Sequence, residues 1–301
     1  MRSKRSQSAM EYLMTYGWAI LIIAIALGAL FQLGVFNGQN FAPKAPPGAC
    51  QIFRPNGPGS TLDINLEGEC QGELPKYVAQ FNGGSVLIPN PSQNNGFPNG
   101  YTMTAWVVYV NPESECGYAL GIEDSSALPR GGAVLSCSNS PKPYGETIDK
   151  NGYNVFAPLV GSQQTLAYGS WTFIAVSWNT TSQTISFYLN GAIEGAPQPD
   201  TISATNMIMQ NTPYYVIGGQ VGGGSWNGQE ADAQLYNTSL SPADINTLYG
   251  GGIGGAPIDL QNLVGWWPLN GNFNDYSGND NNGEANGGQV TFISNYAGPV
   301  T

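Results

Sequence analysis

The chain has 301 residues, with 41 Gly, 21 Pro and only 10% charged residues. That composition argues against a helical bundle, whose solvent faces need Lys and Glu, and favours many short strands joined by turns. Net charge is −11 with no histidine, three of the nine basic residues (Arg2, Lys4, Arg5) stand at the extreme N-terminus, and the four cysteines form no CxxC pair, so nucleic acid is disfavoured as a partner and the common zinc sites are excluded.

In chain order, the first predicted element is a long apolar helix. Met10 to Phe36 reads MEYLMTYGWAILIIAIALGALFQLGVF, with Glu11 as its sole charge, long enough to span a bilayer. The apolar run is longer than a Sec-type signal carries, and no A-x-A site follows it. The basic start predicts a cytoplasmic N-terminus and an extracellular location for everything after Asn37, with Tyr12, Tyr16 and Trp18 at the interface. The segment KRSQSAMEYL, Lys4 to Leu13, running into this helix, resembles the class III signal peptide of archaeal type IV pilin-like proteins. The resemblance implies cleavage by a prepilin peptidase between Ser6 and Gln7, with Ser6 standing where the family has Gly. It also implies that the hydrophobic helix stays on the mature chain. Glu11 would then face the amino-terminal charge of a neighbouring subunit in a filament core; the alternative is a carboxylate reaching water at the membrane edge. Gly17, Ala24, Gly28 and Gly34 would let such helices approach closely. The expected organisation is a leader over 1–6, a transmembrane assembly helix over 7–37, a Pro/Gly-rich linker and lead-in over 38–75, and a β-sandwich over 76–301.

Cys50, Cys70, Cys116 and Cys137 form an even set in an exported chain, which predicts two disulfides. Neighbouring pairs close the shortest loops, three connectivities are open, and four buried thiols are the alternative. Strand-length runs rich in β-branched and aromatic residues follow at Tyr101–Val110, Ala133–Cys137, Trp171–Trp178, Thr184–Leu189, Tyr214–Ile217 and Ala231–Tyr236. Asn190-Gly191 predicts a tight hairpin. Ser241-Pro242-Ala243-Asp244 opens one helix that Gly250-Gly251-Gly252 closes.

GYTMTAWVVY, GSWTFIAVSWNTTSQTISFYLNG and ADAQLYNTSLSPADINTLYGGG, in that order, are similar to the laminin G-like, concanavalin A-like jelly roll. The resemblance spans most of Gln80 to Gly252 and implies an all-β, antiparallel β-sandwich. Leu263 to Gly288 resembles the stretch that normally opens such a domain, yet it stands at the end. This implies a circular permutation in which strands at Leu263–Leu269 and Gln289–Ser294 complete the sandwich.

Asp275, Asn279, Asp280 and Asn282 offer hard oxygen ligands in a turn-rich loop without EF-hand spacing. The jelly-roll resemblance implies a calcium site with Asp275 foremost; Asx-turns bonding their own backbone are the alternative. No other cofactor is expected. Catalysis is not expected either: without histidine the realistic chemistry is a carboxylate pair, and Glu146 with Asp149, and Glu113 with Glu115, read as exposed loop acids. Trp226, Trp266, Trp267, Tyr144 and Tyr153 are candidates for stacking on sugar, with core packing the more common fate of such rings. Asn179 and Asn237 head glycosylation sequons. The sequence thus predicts a pilin-like surface filament subunit with a lectin-like adhesive head. Its expected partners are other copies, a prepilin peptidase, the membrane, and a glycan or other surface ligand. The rivals are a tethered binding protein that does not polymerise and a glycoside-active enzyme.

Overall fold

The computed structural model describes residues 16–29, 50–68, 70, 74–89, 97–110, 117–124, 129–135, 142–149, 154–157, 164–203, 213–221 and 227–296. The chain divides into two units, Met1–Lys44 and Ala45–Thr301. In the first, residues 16–29 form helix α1, and each of them is exposed, Trp18 and Ile20 at 65%. The helix has no polar stripe, and Gly17 and Gly28 have open space beside them. Among the described residues no helix is long and apolar enough to cross a membrane. The predicted helix over 7–37 is only partly described, and Ser6, Gln7 and Glu11 lie outside the described residues.

The second unit is built from strands β1 (Cys50–Phe53), β2 (Asn65–Gly68), β3 (Val78–Pro89), β4 (Tyr101–Tyr109), β5 (Gly117–Asp124), β6 (Pro129–Leu135), β7 (Tyr144–Ile148) and β8 (Asn154–Ala157). There follow β9 (Trp171–Asn179), β10 (Thr184–Leu189), β11 (Ala192–Ile193), β12 (Gln198–Pro199), β13 (Pro213–Gly219), β14 (Asn227–Tyr236), helix α2 (Pro242–Gly251), β15 (Leu263–Trp267) and β16 (Glu284–Ile293). β1 and β2 form a small sheet of their own within the Pro/Gly-rich lead-in.

The remaining strands make two antiparallel layers that share one strand. The first half of β3 pairs with β14, which continues through β4 and β9 to β10. The second half pairs with β13, which continues through β5, β6 and β7 to β8. The layers face each other: a Cβ on Gly145 of β7 would lie 2.2 Å from the Val176 side chain of β9, and the Tyr101 phenol of β4 donates to the Glu146 carbonyl of β7 at 2.8 Å. β16 follows β3 along both halves, from Ile293 opposite Val78 to Glu284 opposite Leu87. The ribbon turns its corner where Gly83 and Gly287 take φ of 75° and 72°, and a Cβ on Gly288 would lie 2.5 Å from the Gly83 backbone. Only paired glycines allow two chains to cross that closely.

The main core lies between the layers and includes Phe81, Met103, Val107, Ile174, Val176, Ile217 and Trp267. A second core covers the outside of the first layer, where Trp106, Val108, Phe173 and Ala175 meet Ile245 and Leu248 of α2, Ile52 of β1, and Leu263 and Trp266 of β15. β4 is therefore buried along its whole length, which is why it carries no charge and why its two polar residues, Thr102 and Thr104, are themselves buried. A capping box holds α2: Ser241 Oγ accepts from Asp244 N at 3.2 Å, and the Asp244 carboxylate accepts from Ser241 N at 3.1 Å. The predicted hairpin turn sits between β10 and β11, with Asn190 and Gly191 at φ 49° and 77°.

Candidate binding face

Successive side chains of a strand point to opposite faces, and directly paired residues share a face. Val216, Gly121, Gly132, Glu146 and Phe156 therefore form one row across β13, β5, β6, β7 and β8. The alternate residues Leu120, Ile122, Tyr215 and Ile217 enter the main core, so the row lies on the outer face of the second layer. Gly121 makes room for a tyrosine. A Cβ there would lie 2.4 Å from Tyr118 Cγ, so the ring rests flat across β5, and its phenol donates to Glu146 Oε1. Tyr144, two residues before Glu146 on the same face, meets Phe156 edge to face at 5.4 Å.

The electrostatics follow from burial. Glu146 is 7% exposed; desolvation raises its carboxyl above the usual range, and the Tyr118 hydrogen bond opposes that rise. Tyr118 is pushed well up by its own burial and then by the Glu146 charge and hydrogen bond. Tyr144 is pushed up to about 12 by burial and by Glu146. Glu123, two residues along β5 from Gly121, is 1% exposed and accepts from Val221 N at 2.6 Å. Behind the row, Thr147 donates to Asp200, whose other oxygen accepts from Ile202 N at 2.9 Å. The face thus combines two half-buried rings with carboxylates held in place by the fold, an arrangement suited to hydrogen-bonding and stacking against a polyhydroxylated ligand.

The sequence profile of the concanavalin A-like lectin/glucanases superfamily matches residues 81–246. The chain belongs to that superfamily. Among solved structures it is similar to a protein from Bacteroides ovatus proposed to bind carbohydrate, with TM-score 0.56 and 13% identity over 79% of this chain and 65% of that one. It thus spans about two-thirds of the Bacteroides protein's length. A native heptameric SAP-like pentraxin from Limulus polyphemus is also similar, with TM-score 0.51 and 16% identity over 75% of this chain and 98% of that one. At these identities the likeness is one of fold. No curated protein matches the chain in sequence.

Against this superfamily fold, the site residues read from sequence separate clearly. Glu146 and Asp149 are not exposed loop acids: Glu146 lies within β7, and the two are 7% and 8% exposed. Flanking Pro and Gly give the segment a loop's composition, while its strand character comes from pairing with β6 and β8. Trp266 and Trp267 are core rings, 4% and 0% exposed, whose indole N–H groups donate to Asp232 Oδ1 at 2.7 Å and to the Asn281 carbonyl at 2.8 Å. Trp226, Tyr153, Glu113 and Glu115 lie outside the described residues.

The calcium expectation at Asp275, Asn279 and Asp280 does not fit the donors around them. Asp275 Oδ1 accepts from Trp266 N at 2.9 Å and Ser277 N at 2.8 Å; Oδ2 accepts from Ser277 Oγ at 2.8 Å and Asn281 N at 3.0 Å. Four donors fill the lone-pair positions of one carboxylate, leaving none for a cation. Asn279 donates to the Leu263 and Val264 carbonyls at 2.9 and 3.0 Å and accepts from Gly59 N at 2.9 Å; Asp280 is exposed. Asn282 accepts from Asp275 N at 2.9 Å. This loop is the Asx-turn alternative, and among the described residues no acidic, cysteine or histidine cluster could hold a metal ion.

Cys50 and Cys70 form a disulfide, while Cys116 and Cys137 lie outside the described residues. Asn179 heads an exposed turn, accepting from Thr181 N and Ser182 N at 2.9 Å. In the Asn237 sequon, by contrast, the Ser239 hydroxyl is bonded to Ser177 Oγ at 2.7 Å, inside the fold. Tyr118, Glu123 and Phe156 escape a reading of the sequence alone; an isolated glycine within a strand, here Gly121, is the signal that a large side chain lies close by.

Proposed function

We propose that this chain is a type IV pilin-like surface subunit, anchored through its N-terminal apolar helix, whose jelly-roll head is displayed outside the cell and binds glycans. Binding takes place on the outer face of the second layer: Tyr144 and Phe156 stack on sugar rings, while Glu146 accepts hydrogen bonds from hydroxyls. The observation that carries the reading is the joining, in one chain, of a lectin-like head with a closed core of its own and a helix whose apolar side chains are all exposed. Such a helix requires an apolar environment, supplied by lipid or by the same helix of other copies. The basic leader and the Ser6–Gln7 junction support processing to a filament subunit. Support for binding rather than catalysis comes from Glu146, one of whose oxygens, Oε1, is committed to Tyr118 and leaves only the other for a ligand hydroxyl, in a chain without histidine.

The test uses full-length protein in detergent on a glycan array. Wild type is expected to retain a defined set of glycans, with Tyr144→Ala weakening binding about tenfold, ~1.4 kcal/mol, and Glu146→Gln reducing it without loss of fold. A head that retains no glycan sinks the binding assignment. Mass spectrometry of the native chain is expected to start at Gln7, and electron microscopy to find the protein in surface fibres; an intact Met1 would leave a tether in place of a filament.

A further inference from the structure

The lead-in to the head is closed by a covalent bond and docked by a buried cation. Cys50 and Cys70 are bonded across a separation of 20 residues, and the hairpin between them grips the C-terminal portion of the head. Ile52 N donates to the Tyr276 carbonyl at 2.9 Å, and Gly59 N to Asn279 Oδ1 at 2.9 Å. Arg54, 7% exposed, donates from Nε to the Ser277 carbonyl at 2.8 Å and from Nη2 to the Leu260 and Leu263 carbonyls at 2.8 and 3.2 Å. Its Nη1 donates to the Ser60 carbonyl inside the hairpin. Beyond Cys70 the chain is held again, since the Pro75 carbonyl accepts from the Tyr296 phenol and Tyr77 N donates to Asn270 Oδ1 at 2.9 Å. It then enters β3, the strand common to both layers.

We infer that the Cys50–Cys70 bond is a load shunt: tension arriving from an N-terminal anchor crosses the sulfurs to Cys70 and passes into β3, so the hairpin and its Arg54 dock carry none of it. This inference rests on the anchored reading of the chain. The topology gives it content. Without the bond, tension enters at the free end of β1, whose four residue pairs with β2 then separate in succession. With it, the first structure to take load is β3, flanked on one edge by β13 and β14 and on the other by β16. Arg54 then stabilises the resting head but is silent under tension.

The test is an optical-trap extension of the full chain in detergent micelles, with handles at both ends; extraction of the N-terminal helix gives a reference step common to all variants. In wild type, no opening of the head precedes the one that breaks β3. Cys50→Ser with Cys70→Ser is expected to add an earlier step at lower force that lengthens the chain by about 65 Å, from ~3.3–3.6 Å per residue across the closed loop. Arg54→Met with the disulfide intact is expected to lower the melting temperature while leaving the extension trace unchanged, and in the bond-free background to lower the force of the added step. A bond-free chain with no early step overturns the shunt, as does an early step in Arg54→Met with the bond intact. The trap supplies the tension, so either result bears on the shunt alone, whereas an intact Met1 and absent fibres would sink the filament and leave the shunt standing for a tether.

Discussion

Asp232 shows what a single buried carboxyl does to this fold. It sits at the bulge of β14 where the strand's edge partner changes from β3 to β15, with φ at 51°. Its oxygens accept from Gln234 Nε2 at 3.0 Å and Trp266 Nε1 at 2.7 Å; Gln234 in turn accepts from the Tyr236 phenol at 2.6 Å. Burial raises its carboxyl from 3.8 to about 7, against the pull of the Gln234 and Trp266 donors. The folded chain therefore holds a proton that the unfolded chain releases. Stability from this group is full below about pH 3.8, falls as pH rises to about 7 and is flat beyond, a change on the order of 4 kcal/mol. Asp232→Asn is expected to flatten that slope, as measured by urea unfolding at stepped pH. Gly121 makes a second prediction at this scale. Gly121→Ala drives a methyl into the Tyr118 ring, at a cost of about 2–3 kcal/mol by thermal or urea unfolding, and is expected to weaken the proposed glycan binding by displacing the phenol from Glu146.

Among the elements, β16 has the widest reach, because it edges both layers. A chain ending before Glu284 is expected to lose both, giving a species without a cooperative unfolding transition by circular dichroism. What could be read from sequence divides along the same line. α2 and the Asn190-Gly191 turn are legible because capping and turn chemistry are local. β4 and β9 are legible because burial on both faces leaves nine-residue strands without a charged residue, rich in aromatic and β-branched side chains. β3 is not: Gly83-Gly84 in its middle has the composition of a turn, and its role as a corner depends on Gly287-Gly288 far along the chain. β7 fails for the opposite reason, since pairing on both sides overrides a local loop composition. The site inherits these limits. Its row across five strands exists only in register, so Glu146 and Tyr144 are visible as residue types, while Tyr118 and Phe156 become partners only once β5, β7 and β8 are aligned.

For the whole molecule, the two units differ in what they need from their surroundings. The head has two cores and a disulfide of its own, while α1 offers only apolar surface. Removing residues 1–44 is expected to leave a head that stays in solution without detergent, unfolds in one transition and keeps its glycan binding, as checked by size exclusion, circular dichroism and the glycan array. The full chain is expected to need detergent throughout.

The ribbon joining β3 to β16 also sets a timetable. β3 is made early and its companion along both halves comes last, with nearly the whole head synthesised between them. A nascent head emerging N-terminus first cannot close until that final strand is free, and contacts so distant in sequence form slowly. Were the chain exported as proposed, its head would stay slack during passage and set into shape only once β16 had come through.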